Sequence, residues 1–230
     1  MQNSTDPIPD AGSNRPVDLQ NRRPIKTRSS RWARALALSL ARRGVSPNQV
    51  SVLSLAFALI GASFLAWEAC GAVNAWILLA TAACIQLRLL ANMLDGLIAV
   101  EGGRQTKTGE LFNEFPDRIS DVALLAGAGY AAHRGDLGVA LGWGAAVLAV
   151  TTAYIRAVGA RRRHPEDYCG PQAKQQRMLL LTVACVLGAA EKLLDLPAYS
   201  LFVMLILINL GTLLTCVRRT VRLAKLLEAT

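Results

Sequence analysis

The side chains best suited to chemistry in this chain lie between residues 92 and 121. They are carboxylates and amides at the ends of two apolar segments: Asn92, Asp95, Asn113, Asp117 and Asp121. Residues three or four apart share one face of a helix, so each set is expected to line one helix face. Because hard cations prefer oxygen ligands, two such faces joined by a Gly-rich turn predict a pocket for one or two divalent ions. Carboxylates beside a bilayer are also functional candidates by default.

The composition is typical of a polytopic membrane protein. Of the 230 residues, 53% are hydrophobic and 18% are charged, yet the formal net charge is +9. In a membrane protein such an excess of Lys and Arg usually faces anionic lipid headgroups on the cytoplasmic side. No basic-aromatic motif accompanies it, so we expect no nucleic-acid partner. The five cysteines lack metal-ligand spacing and predict neither a zinc site nor a disulfide framework.

The apolar stretches predict an all-α fold with six transmembrane helices of roughly 20 residues each. The spans are expected at about 49–68, 72–99, 109–132, 137–158, 173–194 and 197–218. The third span has a polar first half, which must face a hydrated cavity lined by protein. The fifth has only a short apolar run. Pro47 and Asn48 predict the start of the first span, and small residues predict close helix packing at Gly127, Gly129, Gly138 and Gly142.

The flanking segments set the domain organisation and the orientation. Residues 1–28 predict a disordered basic tail, and residues 29–43 an amphipathic helix on the membrane surface. Residues 29–230 then form one membrane domain. Basic residues concentrate at the N-terminal flank, the 100–108 and 159–177 loops and the C-terminal tail. The positive-inside rule therefore places both termini and the Asp-rich turn in the cytoplasm, and the composition suggests a bacterial inner membrane.

From Asn92 onward the segment resembles the signature of the class I CDP-alcohol phosphatidyltransferase family, D-x2-D-G-x2-A-R-x8-G-x3-D-x3-D. Every spacing holds, and the matching positions are Asn92, Asp95, Gly96, Ala99, Val100, Gly109, Asn113 and Asp117. Six spans, the amphipathic helix and the element Gly44–Ser51 extend the resemblance. Three side chains depart from the pattern: Asn replaces Asp at 92 and 113, and Val replaces Arg at 100.

The resemblance implies a membrane transferase of phospholipid biosynthesis. A CDP-linked donor such as CDP-diacylglycerol would bind between helices at the cytoplasmic face. The hydroxyl of a small or phosphorylated alcohol would attack the phosphorus next to the lipid alcohol and release CMP. Mg²⁺ or Mn²⁺ would neutralise the diphosphate. Asp117 is the expected general base, Asp95 is the firmest metal ligand, and a homodimer is also implied.

The other predicted site residues contact the two substrates. The expected donor contacts are Asn48, Gly96, Ala99, Arg104, Lys107 and Gly109, with Arg104 or Lys107 standing in for the family's arginine. The expected acceptor contacts are Arg156, Lys174 and Arg177, because Arg and Lys side chains bind phosphate. For Arg156 and Arg177, ordinary cytoplasmic flanking charge is an equal alternative.

The departures from the family pattern leave two functions open. An amide oxygen brings no negative charge, so the metal site loses two charges unless Asp121, Glu110 or Glu114 compensates. A single-metal site is equally compatible. The chain is either an active enzyme with altered metal use or a degenerate member that binds a nucleotide or a partner protein. A transporter is disfavoured, because its polar residues would lie near the bilayer midplane.

Overall fold

The computed structural model describes residues 31–71, 74–103, 108–161 and 170–228. Over these ranges the regular structure consists of seven helices: α1 (Arg31–Arg42), α2 (Pro47–Ala69), α3 (Ala75–Glu101), α4 (Gly109–Ala131), α5 (Gly135–Arg161), α6 (Lys174–Leu193) and α7 (Ser200–Glu228). This confirms the predicted all-α fold. The predicted tail at 1–28 and the donor candidates Arg104 and Lys107 lie outside the described residues.

Four helices of the described ranges are long and apolar enough to cross a membrane: α2, α3, α5 and α7. These four make the chain a multi-pass membrane protein. The third and fifth predicted spans form α4 and α6, which do not meet the same condition of length and apolar composition. Both helices carry the charged residues discussed below. A total of six spans therefore stays a prediction.

The helices that carry the polar residues pack at the centre of the bundle. Helix α3 lies between α2 and α6, and α4 lies between α2 and α5, while α7 packs on α5 and α6. Where α4 crosses α5, a Cβ atom built on Gly129 would lie 2.7 Å from the Gly142 Cα atom. Only glycine permits this approach of two backbones, which confirms the predicted role of small residues at this crossing.

The start of α2 differs in detail from its prediction. Its N-cap is Ser46, whose Oγ accepts a hydrogen bond from the Gln49 backbone N–H at 3.2 Å. The Gln49 side chain accepts in return from the Ser46 N–H at 2.9 Å, which completes a capping box behind Pro47. Asn48 is therefore not the cap. Its side chain donates to Thr108 Oγ1 at 3.2 Å and so links α2 to the start of α4.

Helix α1 packs on α3 through alanines. Ala33, Ala37 and Ala41 recur every four residues, are buried, and contact the apolar face formed by residues 91–98. An ion pair between Arg34 and Glu101 at 3.1 Å adds to this contact. The exposed side of α1 carries both basic residues and apolar ones such as Trp32. The predicted amphipathic helix is present, and its alanine face packs against α3.

Candidate active site

Three aspartates and three cations meet where α3, α4 and α6 converge. The aspartates are Asp95 on α3 with Asp117 and Asp121 on α4, and all three are buried. The cations are Arg88 on α3 with Lys174 and Arg177 on α6. Their formal charges cancel. Burying a charge is expensive unless it is paired, so the pairing within this group decides what each member can do.

Asp117 has a donor on each carboxylate oxygen. The Asn92 side chain donates to Oδ1 at 2.6 Å, and the Lys174 ammonium donates to Oδ2. The Arg88 guanidinium lies 3.6 Å from Oδ1. A carboxylate only accepts hydrogen bonds, so Asn92 must turn its NH₂ group, and not its oxygen, toward Asp117. The structure thus brings together the predicted base, one predicted metal ligand and one predicted acceptor contact.

Asp121 is held by two guanidinium groups. Its Oδ1 accepts from Arg88 Nη2 at 2.6 Å and its Oδ2 from Arg177 Nη2 at 3.1 Å. Arg88 is 0% exposed, and Arg177 also donates to the Gln172 backbone carbonyl at 3.2 Å. Both oxygens of Asp121 are engaged, and a metal ion on their remaining lone pairs would lie close to two buried guanidinium groups, which repel it.

Asp95 has a different environment. Its Oδ2 accepts a 2.7 Å hydrogen bond from Ser51 of α2, whose hydroxyl lies one turn inside that helix. None of the ion pairs found in the described ranges involves Asp95. It lies within electrostatic range of Asp117 and Lys174. Among the described residues, a cationic side chain contacts the carboxylate of Asp117 and of Asp121 but not that of Asp95.

The remaining predicted site residues fall into two groups. Asn48 lies beside Thr108 and therefore near Gly109 at the start of α4, while Gly96 and Ala99 are half-buried on α3. Asn113 is exposed, and the structure does not bring it to the three aspartates. Its metal-binding role stays a prediction.

Arg156 belongs to a second ion-pair group. Glu114 on α4 accepts from Arg156 of α5 through Oε1 and from Arg118 through Oε2. Glu114 therefore balances two cations, one on α4 and one on α5. The Glu110 side chain lies outside the described part of the structure. Its predicted role, to supply negative charge to the metal site, therefore stays a prediction.

Two residues of the site carry no predicted role in the sequence. Arg88 precedes Asn92 by one turn and is an arginine inside a membrane span, a signal that by itself marks a functional or structural polar site. Ser51 gave no signal, because a serine near a helix start usually serves only the helix itself. Its bond to Asp95 depends on how α2 packs against α3.

The side chains fit one hard cation better than two. Within the described ranges, no group of three or more His, Cys, Asp or Glu side chains is arranged to hold a metal ion. Asp117 and Asp121 already bear donors on all four oxygens. Asp95 remains as a carboxylate that can share one ion with a bound phosphate, because Mg²⁺ is usually bound by one or two carboxylates plus substrate oxygens and water.

Comparison with known sequences decides the family. A profile of the CDP-alcohol phosphatidyltransferase family matches residues 44–222, which is most of the chain. The chain belongs to the CDP-alcohol phosphatidyltransferase family. A bifunctional IPC transferase and DIPP synthase from Rubrobacter xylanophilus is 31% identical to it over 148 residues, which is 63% of this chain. The chain spans about a third of that relative's length, since the match covers 32% of it.

Solved structures share the fold. Phosphatidylinositol phosphate synthase from Mycobacterium tuberculosis with CDP-DAG bound is 26% identical, with a TM-score of 0.70, covering 84% of this chain and 94% of that one. Its apo form is 26% identical, with a TM-score of 0.63, covering 81% and 93%. The form with manganese and citrate is 24% identical, with a TM-score of 0.68, covering 83% and 88%, and supports the fold alone. The chain is thus a multi-pass membrane member of the family, and its fold is similar to that of phosphatidylinositol phosphate synthase.

Proposed function

We propose that this chain transfers a phosphatidyl or similar phospho-alcohol group from a CDP-linked donor to an acceptor hydroxyl, with release of CMP. One observation carries the proposal: a buried aspartate, Asp117, is held between an amide of α3 and an ammonium of α6. Donor candidates lie toward α2 and α3, and cationic acceptor candidates lie toward α5 and α6. The position of Asp117 between these two sets of candidates supports its assignment as the base.

The proposed step moves one phosphorus between two oxygens. The acceptor oxygen forms a new bond to the phosphorus next to the lipid alcohol, while the bond from that phosphorus to the oxygen of the CMP phosphate breaks. The electron pair leaves with CMP, and Asp117 takes the hydroxyl proton. A carboxylate has about four lone-pair positions, so Asp117 can accept this proton while it keeps its present partners.

The metal and the substrates are part of the same proposal. Asp95 would hold one Mg²⁺ or Mn²⁺, which supplies charge neutralisation to the donor diphosphate when it is bound. CDP-DAG in a structure of the 26% identical relative supports the choice of donor. Asn48, Gly96, Ala99 and Gly109 would contact the donor. Asn92 would position Asp117 through its N–H, and Asn113 is left as a weaker candidate ligand.

The acceptor side is cationic but balanced. Arg156, Lys174 and Arg177 each already contact a carboxylate, so an anionic acceptor would compete with Glu114, Asp117 or Asp121 for them. We therefore expect a small or phosphorylated alcohol to bind with rearrangement of these ion pairs. For the membrane arrangement we propose six spans in a bacterial inner membrane with both termini cytoplasmic, which places the pocket at the inner face.

The first prediction is that Asp117→Asn lowers CMP release by about 10²–10⁴-fold, because an amide cannot accept the hydroxyl proton. Purified protein in nanodiscs would receive radiolabelled CDP-diacylglycerol, Mn²⁺ and a panel of alcohols, and CMP would be quantified. Asp136→Asn, an exposed aspartate at the start of α5, serves as the control and should leave the rate unchanged. If wild-type protein releases no CMP with any acceptor, the degenerate, nucleotide-binding alternative replaces the enzyme.

A further inference from the structure

We propose that the Lys174 ammonium is a tethered cation that takes the place of a second divalent ion at Asp117, so that this chain binds one metal ion in its pocket. The inference deepens the proposed function, on which its description of the donor rests. It concerns residues of this chain only, and a metal count can test it without any turnover.

The first support is the geometry at Asp117. The side chain is buried, Asn92 donates to one oxygen and Lys174 to the other. Each oxygen of Asp117 already bears an N–H donor, so a metal ion on its remaining lone pairs would lie beside the Lys174 ammonium, which repels it. The amide cannot take over as a ligand without rotating, since its NH₂ group faces the carboxylate.

The second support is the balance of charge. Asp95, Asp117 and Asp121 are matched by Arg88, Lys174 and Arg177, and two of the three aspartates bear cations directly. Two divalent ions would add four positive charges to a group of six described side chains whose formal charges already cancel. One ion adds two, which a donor diphosphate can neutralise. The two asparagines, which supply no charge, agree with the smaller number.

The third support is what an ammonium can do. Lys174 has three N–H donors, and its contact with Asp117 uses one of them. The others can donate to a phosphate oxygen, so the group can bridge the carboxylate and the diphosphate as a metal ion would. Lys is moreover a common phosphate ligand that acts as a point charge.

Asp95 differs from Asp117 in the groups that contact its carboxylate. It bears a serine hydroxyl and no directly contacting cation within the described residues, whereas Asp117 bears Lys174. The two carboxylates are thus prepared for different partners. A divalent metal ion from solution can bind Asp95, whereas the Lys174 ammonium occupies Asp117.

The test counts Mn²⁺ bound per chain. The full-length protein in nanodiscs containing CDP-diacylglycerol, without acceptor, is titrated with Mn²⁺, and free Mn²⁺ is followed by its electron paramagnetic resonance signal. Wild type should bind one ion per chain in the pocket. Lys174→Gln should bind one more ion than wild type. Lys225→Gln, an exposed lysine near the end of α7, removes the same charge elsewhere and should leave the count at one.

Each result decides the inference. Two ions in wild type, or equal counts in wild type and Lys174→Gln, would overturn it. A wild-type count of zero with a count of one in Lys174→Gln would support the tethered cation and argue against the ion at Asp95. If Lys174→Gln does not fold, the Mn²⁺ counts of wild type and of Lys174→Met still test the inference. Absence of CMP release would overturn the proposed function alone, since the count needs no turnover.

Discussion

At the scale of single residues, the polar cluster divides into side chains that can meet a substrate and side chains that hold the helices together. Asp121 belongs to the second kind, because it is 1% exposed and lies between two buried guanidinium groups. Arg88 reaches it from α3 and Arg177 from α6. The three side chains therefore join α3, α4 and α6 beneath the pocket. Asp117, which bears the Lys174 ammonium and the Asn92 amide, is the base in the proposed reaction.

We predict that Asp121→Asn destabilises the fold without changing the metal count. The substitution leaves Arg88 and Arg177 buried with no negative partner at this position, and breaking such a pair lowers the free energy of unfolding by about 3–5 kcal/mol. Unfolding by heat or denaturant in detergent measures this loss, with the exposed Asp136→Asn as the control. The opposite result, unchanged stability with a lower Mn²⁺ count, would make Asp121 a metal ligand.

At the scale of helices, the hydrophobic pattern predicted where the helices lie, and four of them, α2, α3, α5 and α7, are long and apolar enough to cross a membrane. The faces of α4 were harder. Each step of four residues turns a helix by about 40°, since 3.6 residues complete a turn. Asn113 and Asp121 therefore differ by about 80° in direction, and the first is exposed while the second is buried. The regular spacing predicted that these residues share one helix face, whereas Asn113 and Asp121 point in different directions from α4.

The pairing of charges could not be predicted from sequence for a related reason. Lys174 follows Asp117 by many residues, and their contact depends on how α6 packs beside α4. The same holds for Ser51 with Asp95. The sequence left Arg156 and Arg177 open between flanking charge and contact with the acceptor. In the structure Arg177 is buried against Asp121, a pairing that the sequence did not predict.

We predict that Ala37→Leu loosens α1 from α3. Ala37 is 1% exposed in the contact with α3, and a larger side chain there forces the helices apart, at a typical loss of about 1–3 kcal/mol. Hydrogen exchange of residues 31–42 should become faster, as should proteolysis of this segment. Ala35→Leu makes the same change on the exposed side of α1 and should leave both rates unaltered. Equal behaviour of the two variants would mean that α1 binds the membrane alone.

At the scale of the whole molecule, the two ends of the bundle have different chemistry. The end with Asn48, Asp95 and Lys174 carries the pocket. At the other end of α2, Glu68 is buried and pairs with Lys192 at 2.5 Å, with His133 3.6 Å away. Helix α2 has 23 residues, which at about 1.5 Å per residue is enough to separate these two polar groups by a bilayer core. The molecule thus has the aspartate cluster at one end and a separate buried ion pair, Glu68 with Lys192, at the other.

We predict that the pocket end of the bundle faces the cytoplasm, and labelling of Cys70 at the opposite end can test this orientation. Cys70 follows α2 directly, is exposed, and lies at the end opposite the pocket, whereas Cys84, Cys185 and Cys216 are buried. In a Cys169→Ser background, a membrane-impermeant maleimide should label Cys70 in intact spheroplasts. Arg43→Cys in a Cys70→Ser background, at the pocket end of α1, should be labelled only after permeabilisation. The reverse pattern would place the pocket outside, where CDP-linked donors made in the cytoplasm could not reach it, and would contradict both the orientation and the proposed reaction.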